Sequence, residues 1–235
     1  MTQKIIGILG GMGPEATADL FSKIIKLTHA EKDQDHIRII IDNNPNIPDR
    51  TAAIIGIGKD PLPDLISTAQ NLERAGADFL IMPCNTAHSF ISEISKNIHI
   101  PILNMIEETS NYIKKYFPTL KKVSLFASKG TYKAKLYNTF FDQANIQIMI
   151  PSFKEQQLIM EIIYKVKSGI LLNKLKKEMI ELSEEQIKKG SQAIIAGCTE
   201  IPLVLKNGDI EIPVIDPTYI LAKCAVEKAK EDTSR

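Results

Sequence analysis

Two cysteines end near-identical segments 114 residues apart. Gly76-Ala77-Asp78-Phe79-Leu80-Ile81-Met82-Pro83-Cys84-Asn85-Thr86 is matched by Gly190-Ser191-Gln192-Ala193-Ile194-Ile195-Ala196-Gly197-Cys198-Thr199-Glu200. In each, a glycine stands eight residues before the thiol, an apolar run lies between, and a hydroxyl-bearing residue follows closely. A thiolate takes a proton or attacks an electrophile, and a thiol returns the proton. Two such groups facing one cavity suggest chemistry that treats the two faces of a substrate alike. The apolar runs read as buried strands of a parallel sheet. Ligands of such sheets bind outside the carboxyl ends of the strands, where both thiols stand.

The segments that must position them also occur twice. Ile6-Gly7-Ile8-Leu9-Gly10-Gly11-Met12-Gly13-Pro14 has a counterpart in Val123-Ser124-Leu125-Phe126-Ala127-Ser128-Lys129-Gly130-Thr131. Ile37–Asp42 is echoed by Ile146–Pro151, and Ile100-Pro101-Ile102-Leu103 by Ile212-Pro213-Val214-Ile215. A period above a hundred residues is too long for a solenoid and points to a duplicated domain. Apolar strands recur in any α/β protein, but matched glycine-to-cysteine spacing and paired Ile-Pro segments do not. Helical patterns fall at Pro14 onward, 62–75, 87–97, 105–117, 131–144, 154–168, 171–189 and about 217–230. Strands alternating with helices predict an α/β fold: two similar lobes, each a mainly parallel sheet flanked by helices. Asn43–Arg50 is a polar, proline-punctuated loop at the carboxyl edge of the first sheet, well placed to touch a ligand.

Composition narrows the function classes. The chain has 235 residues, 44% hydrophobic and 24% charged, with a formal net charge of +1. That balance offers no electrostatic footprint for nucleic acid, and the apolar stretches are strand-length, well short of the roughly 20 residues of a membrane span. Met1 runs straight into a strand with no signal-peptide layout. Three cysteines, two of them at strand ends, fit a reduced cytoplasmic enzyme better than a disulfide framework. Cys224 reads as a small core residue of the last helix, and 231–235 as a frayed tail.

The loop Gly11-Met12-Gly13-Pro14-Glu15-Ala16 supports a rival reading. It fits the G-x-G-x-x-A dinucleotide fingerprint through Gly11, Gly13 and Ala16, and Asp42 ends the next strand where an acid grips the ribose. A nicotinamide-dependent oxidoreductase leaves the paired cysteines unexplained, however, and Asp42 falls further along the chain than the fingerprint prefers. The alternative use of the loop is to offer backbone N–H groups to a small carboxylate. Zinc held by Cys84, His88 and Cys198 is a further possibility, but no close Cys-x-x-Cys pair is present, so no metal is expected. A two-lobed, non-catalytic amino-acid-binding protein has the same form but needs no paired thiols.

Ile81-Met82-Pro83-Cys84-Asn85-Thr86-Ala87-His88 and Ile194-Ile195-Ala196-Gly197-Cys198-Thr199-Glu200-Ile201-Pro202 resemble the two signatures of the aspartate/glutamate racemase family. Gly10-Gly11-Met12-Gly13-Pro14 and Asn43-Asn44-Pro45-Asn46-Ile47-Pro48-Asp49-Arg50-Thr51 resemble its aspartate racemase branch. The resemblance covers essentially the whole chain in order. It implies a racemase free of pyridoxal phosphate and of any other cofactor, with the active site between two lobes. Members pass the chain from one lobe to the other and back, so 1–104 with 212–235 are expected in one lobe and 105–211 in the other. Relatives are commonly dimers, which makes a homodimer the expected assembly.

The same resemblance assigns roles. Cys84 and Cys198 are the catalytic pair, exchanging thiolate and thiol so that one site serves both enantiomers. Asn85, Thr86 and Thr199 are the natural donors around the developing carbanion, with Met12 and Ser128 contributed by the two matching loops. Arg50 corresponds to the carboxylate-binding arginine and Lys167, in Lys165-Val166-Lys167-Ser168-Gly169, to the lysine before a glycine. Both otherwise read as solvated charges, as Lys165 does. Glu200 is a candidate to orient or help deprotonate Cys198, and His88 to do similar work at Cys84; a helix-capping Glu200 and a surface His88 are the plain alternatives. The substrate expected is an acidic amino acid, aspartate ahead of glutamate.

Overall fold

Every residue of β1 (Ile6–Gly10) is buried, because the strand lies in the middle of a three-stranded parallel sheet in the order β2-β1-β3. Its neighbours are β2 (Ile39–Asn43), with Ile6 opposite Ile39, and β3 (Phe79–Ile81), with Ile6 opposite Phe79. Ile102 adds an isolated parallel bridge to Leu80 on the far side of β3. The structure is a computed structural model describing residues 3–170 and 173–231. It divides into two units. The first holds the described residues up to Glu108 and from Thr218 onward; the second holds those of Thr109–Pro217.

In the first unit, α1 (Pro14–Leu27) follows β1, with Pro14 at its start where a missing N–H costs nothing. After β2 come the short α2 (Arg50–Ile55) and α3 (Leu62–Arg74). Beyond β3, a 3-10 turn (Thr86–Phe90) leads into α4 (Ile91–Ser95), so the expected 87–97 helix divides in two. Next, α5 (Met105–Tyr116) carries the chain to the second unit. Strand alternation sorts the core. Ile6, Ile8, Phe79 and Ile81 pack with Leu20 and Ile24 of α1, whereas Leu9 and Leu80 pack with Leu65, Ala69 and Leu72 of α3.

The second unit repeats the plan. A four-stranded parallel sheet in the order β5-β4-β6-β7 is formed by β4 (Lys122–Ala127), β5 (Gln147–Met149), β6 (Ile194–Gly197) and β7 (Val214–Ile215). Its helices are α6 (Lys129–Lys133), α7 (Asn138–Gln143), α8 (Phe153–Lys167), α9 (Asn173–Lys188) and α10 (Ile201–Val204). The expected 131–144 helix is broken, because Lys135 at φ 50° cannot continue a right-handed helix. Phe126, Ile159, Met179, Ile194 and Val204 belong to one buried cluster. The final helix, α11 (Pro217–Lys230), returns the chain to the first unit and packs Leu221, Ala222 and Ala225 on the α1 side of its sheet.

The two units thus share one order: first strand in the middle, second strand at one edge, cysteine strand on its other side, Ile-Pro segment beside the cysteine strand. The second unit takes in 212–217, which a division at residue 211 assigns to the first, because Val214 and Ile215 pair with β6. Leu171 and Leu172, at the start of the expected 171–189 helix, and 232–235 of the expected frayed tail lie outside the described residues. Cys224 is half-buried in α11, where burial and Glu108 push its thiol up to about 12. No helix among the described residues is long and apolar enough to cross a membrane.

Gly11, at φ 93°, lets the backbone of Asn44 lie against the loop after β1; a Cβ there would run into that backbone. Gly56, the left-handed cap of α2 at φ 86°, has open space around the same position. Gly56→Ala therefore meets only the backbone penalty, about 1–2 kcal/mol. Gly11→Ala adds a steric one and is expected to lose about 1–3 kcal/mol more, read as a difference in urea midpoints at unchanged slope.

Candidate active site

In the first unit the candidate residues gather at the carboxyl ends of the strands. Cys84 follows β3 through a tight turn in which its N–H donates to the Met82 carbonyl at 2.8 Å. The residue is buried at 6% exposure, and its Sγ makes no hydrogen bond among the described residues. Asn85 and Thr86, directly after it, are buried too. Met12 shares an apolar cluster with Cys84 and Ile47, so its side chain is a wall of the core rather than a polar contact.

Arg50 opens α2, whose amino end is capped by Asp49 accepting from the Ala52 N–H at 2.9 Å. Its guanidinium is buried and ties two loops together. Nη1 donates to the Ile47 and Pro48 carbonyls at 3.0 and 2.9 Å, and Nη2 to the Met12 carbonyl at 3.4 Å. Nε is buried with no hydrogen-bond partner among the described residues. Nε and Nη2 form one edge of the planar fork, the edge that suits two oxygens of a carboxylate.

The glycine loop is tied to the first turn of α1. The Gly11 N–H donates to Thr17 Oγ1 at 3.0 Å, and that hydroxyl donates to the Gly13 carbonyl at 3.0 Å. A threonine one turn into α1 therefore occupies one of the loop's backbone donors, the Gly11 N–H. Asp42 accepts from Asn71 Nδ2 of α3 at 3.3 Å instead of standing clear at the strand end. Neither observation favours a dinucleotide.

His88 is buried, not on the surface. Its Nε2 accepts from the Met105 N–H at 3.1 Å, which leaves the proton on Nδ1, 2.8 Å from the Cys84 carbonyl. Burial lowers its pKa to about 4 against the opposing pull of that backbone contact. The ring is neutral near pH 7 and joins the cysteine turn to the first residue of α5. Both nitrogens are engaged with backbone, so neither is directed at the Cys84 thiol or open to a metal. Among the described residues, no three His, Cys, Asp or Glu side chains gather as ligands for an ion.

In the second unit, Cys198 follows β6 and is buried at 7% exposure. Its Sγ donates to Glu200 Oε2 at 2.9 Å. The Thr199 hydroxyl approaches the same oxygen at 3.4 Å, and Lys167 Nζ stands 3.7 Å from Glu200 Oε1. Glu200, buried at 3%, occupies the residue before α10 but makes no side-chain cap to it. Lys167 is delivered by the last turn of α8, a helix started by a capping box between Ser152 and Glu155. Ser128 caps α6 by accepting from the Thr131 N–H at 3.2 Å.

Two tyrosines beside this cluster escaped the sequence reading. The Tyr132 hydroxyl donates to the Leu125 carbonyl at 2.8 Å and accepts from the Ala127 N–H at 2.9 Å, closing the end of β4. Burial raises the pKa of Tyr132 and of Tyr137, and the charge of Cys198 adds to both. Both remain neutral phenols near pH 7. Their signal in the sequence was position alone: Tyr132 lies four residues after Ser128, in the loop that matches Met12.

The sequence model of the family described as Asp/Glu/Hydantoin racemase matches residues 9–225. The chain is 33% identical over 229 residues to the broad specificity amino-acid racemase RacX of Bacillus subtilis, covering 94% of this chain and 96% of that one. The solved structure of Picrophilus torridus aspartate racemase is 33% identical with a TM-score of 0.86, covering 96% of this chain and 94% of the other. Glutamate racemase from Francisella tularensis, solved in complex with D-glutamate, shares the fold at a TM-score of 0.71 and 16% identity, over 100% of this chain and 86% of that one.

The neutral His88 makes stability depend on acid. An unfolded histidine titrates near 6.5 and the folded one near 4, so between those values the unfolded chain binds more protons. The contribution is complete above about pH 6.5 and is lost as pH falls toward about 4, to a total of about 3 kcal/mol. Urea unfolding at both ends of that window should show the loss. His88→Gln, less stable at neutral pH, should show correspondingly less acid dependence.

Proposed function

Because the chain belongs to the Asp/Glu/hydantoin racemase family, we propose that this racemase interconverts L- and D-aspartate by two-base proton transfer between Cys84 and Cys198. The observation that carries the reading is the pair of buried thiols at equivalent strand ends of two units with one topology. In the proposed reaction one thiolate takes the α-proton, the C–H electron pair stays on the α-carbon, and the other thiol protonates the opposite face. Exchanging the two roles runs the reaction backwards. Asn85, Thr86 and Thr199 are the donors assigned to the charge that develops on the α-carboxylate.

Arg50 and Lys167 are assigned to the distal carboxylate. The Nε edge of Arg50 supports this, since a buried N–H without a partner is costly until something accepts from it. Aspartate rather than glutamate is supported by the similarity to the Picrophilus torridus enzyme. Equal identity to the broad specificity racemase of Bacillus subtilis supports a second reading, in which other amino acids are also accepted.

Protein stripped of metal and pyridoxal phosphate should convert either enantiomer of aspartate to the racemate, followed by chiral chromatography. Cys84→Ser and Cys198→Ser should each abolish inversion, because a serine hydroxyl is too weak an acid to supply a base at neutral pH. Each variant can still exchange the α-hydrogen of one enantiomer in D₂O, and the two variants should prefer opposite enantiomers. Near-normal racemisation by either variant would refute the two-thiol mechanism. Turnover of other amino acids at rates equal to aspartate would favour the second reading.

Arg50→Ala and Lys167→Ala should each cost about 2–5 kcal/mol in kcat/KM for aspartate, the range for leaving a buried carboxylate without its cation. Lys165→Ala serves as the control. Equal activity in all three would mean that the carboxylate is held elsewhere.

A further inference from the structure

The two thiols stand at matching positions but have different neighbours. Among the described residues Cys84 Sγ has no hydrogen bond, and the nearby imidazole is neutral and engaged with backbone. Cys198 Sγ touches a carboxylate at 2.9 Å, with both groups buried. Lys167 stands 3.7 Å from the other carboxylate oxygen, and the Thr199 hydroxyl lies 3.4 Å from Oε2. A thiolate at Cys198 would stand in contact with that negative charge, out of water, where like charges repel strongly. Tyr132 and Tyr137, both neutral phenols, also interact with this thiol; Glu155 acts on the first and Asp216 on the second.

We propose that Glu200 keeps Cys198 protonated in the resting enzyme, so that Cys198 enters catalysis as the acid and the two half-sites begin each turnover unequal. Glu200 is in this respect a positioning residue that holds a proton on Cys198 rather than one that removes it. The inference rests on the two-thiol reading. An enantiomer whose α-hydrogen faces Cys84 needs Cys198 in the protonated form that Glu200 favours. Its C–H bond breaks toward the Cys84 thiolate, an S–H bond forms there, and the electron pair remains on the α-carbon. The Cys198 S–H bond then breaks, its proton joins the opposite face, and a thiolate is left beside Glu200. Repulsion from Glu200 drives that thiolate to take a proton from water while Cys84 returns one to water, which restores the starting state. The opposite enantiomer needs the disfavoured form, in which Cys198 has already lost its proton. Since the two enantiomers are equal in free energy, kcat/KM must be the same in both directions, and the inequality appears in kcat and KM together.

The test needs no substrate. Wild-type protein is labelled with iodoacetamide across about pH 6 to about pH 10, and the modified peptides are quantified for each cysteine by mass spectrometry. Cys198 should become reactive at a higher pH than a free thiol, whose midpoint is about 8.5. Glu200→Gln, which removes the charge and keeps the shape, should move the Cys198 midpoint down by about one pH unit or more and leave Cys84 unchanged. Glu200→Asp, which keeps the charge, should restore part of the elevation. Labelling of wild-type Cys198 at or below the free-thiol midpoint would overturn the proposal. So would an unmoved Cys198 midpoint in Glu200→Gln, or an equal shift at Cys84. Because the labelling uses no amino acid, a failure to racemise aspartate would refute the proposed function and leave this measurement intact.

Discussion

A parallel strand covered on both faces has only one place to meet polar chemistry, its carboxyl end, and both cysteines of interest stand there. Phe79–Ile81 and Ile194–Gly197 are wholly buried, so the turns after them must satisfy every backbone group without much help from water. The first turn does so with a side chain. His88 gives its Nδ1 proton to the Cys84 carbonyl and receives the Met105 N–H. Leaving either backbone group unpaired in that setting costs about 1–3 kcal/mol. The conformation of the thiol's own residue therefore depends on a neutral imidazole. The same burial that keeps the ring neutral removes it from consideration as a base near pH 7.

The second turn solves a similar problem differently. Glu200 is buried at the corresponding end of β6, and its two oxygens are met by Cys198, Thr199 and Lys167. A buried carboxylate is tolerable only with such partners. Duplication has thus preserved strand order and the glycine-to-cysteine spacing while the polar neighbours of the thiols have diverged. A reaction that relates mirror images does not require mirror-image machinery. In the proposed reaction each face needs only a group able to hold or release a proton, and the two thiols have different surroundings: a neutral imidazole bound to backbone near Cys84 and a carboxylate on Cys198.

The two cations differ in the same spirit. Arg50 is anchored by the carbonyls of Ile47, Pro48 and Met12, so one edge of a rigid plane is fixed by three loop atoms. Lys167 is a point charge on a flexible stem, about a third exposed, at the end of a helix. In the proposed reaction the fixed fork sets where the distal carboxylate lies and the flexible ammonium adapts to it. Gly11 belongs to the same construction, because its missing side chain lets Asn44 close on the loop whose Met12 carbonyl receives the guanidinium.

Much of this was legible in the sequence. Cysteine spacing and paired Ile-Pro segments exposed the duplication, and the alternation of apolar runs with helical patterns exposed two parallel α/β sheets, since periodicity and spacing are properties of the chain alone. Breaks inside the 131–144 and 87–97 helices were not legible, because a left-handed Lys135 and a 3-10 turn depend on what packs around them. Nor was the passage of 212–217 to the second unit, which rests on a two-residue strand finding β6. The plainest case is the short sequence after each cysteine. His88 and Glu200 were both visible as candidates, yet whether each acts on a thiol or on the backbone is a matter of direction in space. Only the folded chain turns the imidazole toward the Cys84 carbonyl and the Met105 N–H, and the carboxylate toward Cys198, because hydrogen bonds depend on distance and angle, which one-dimensional order does not contain.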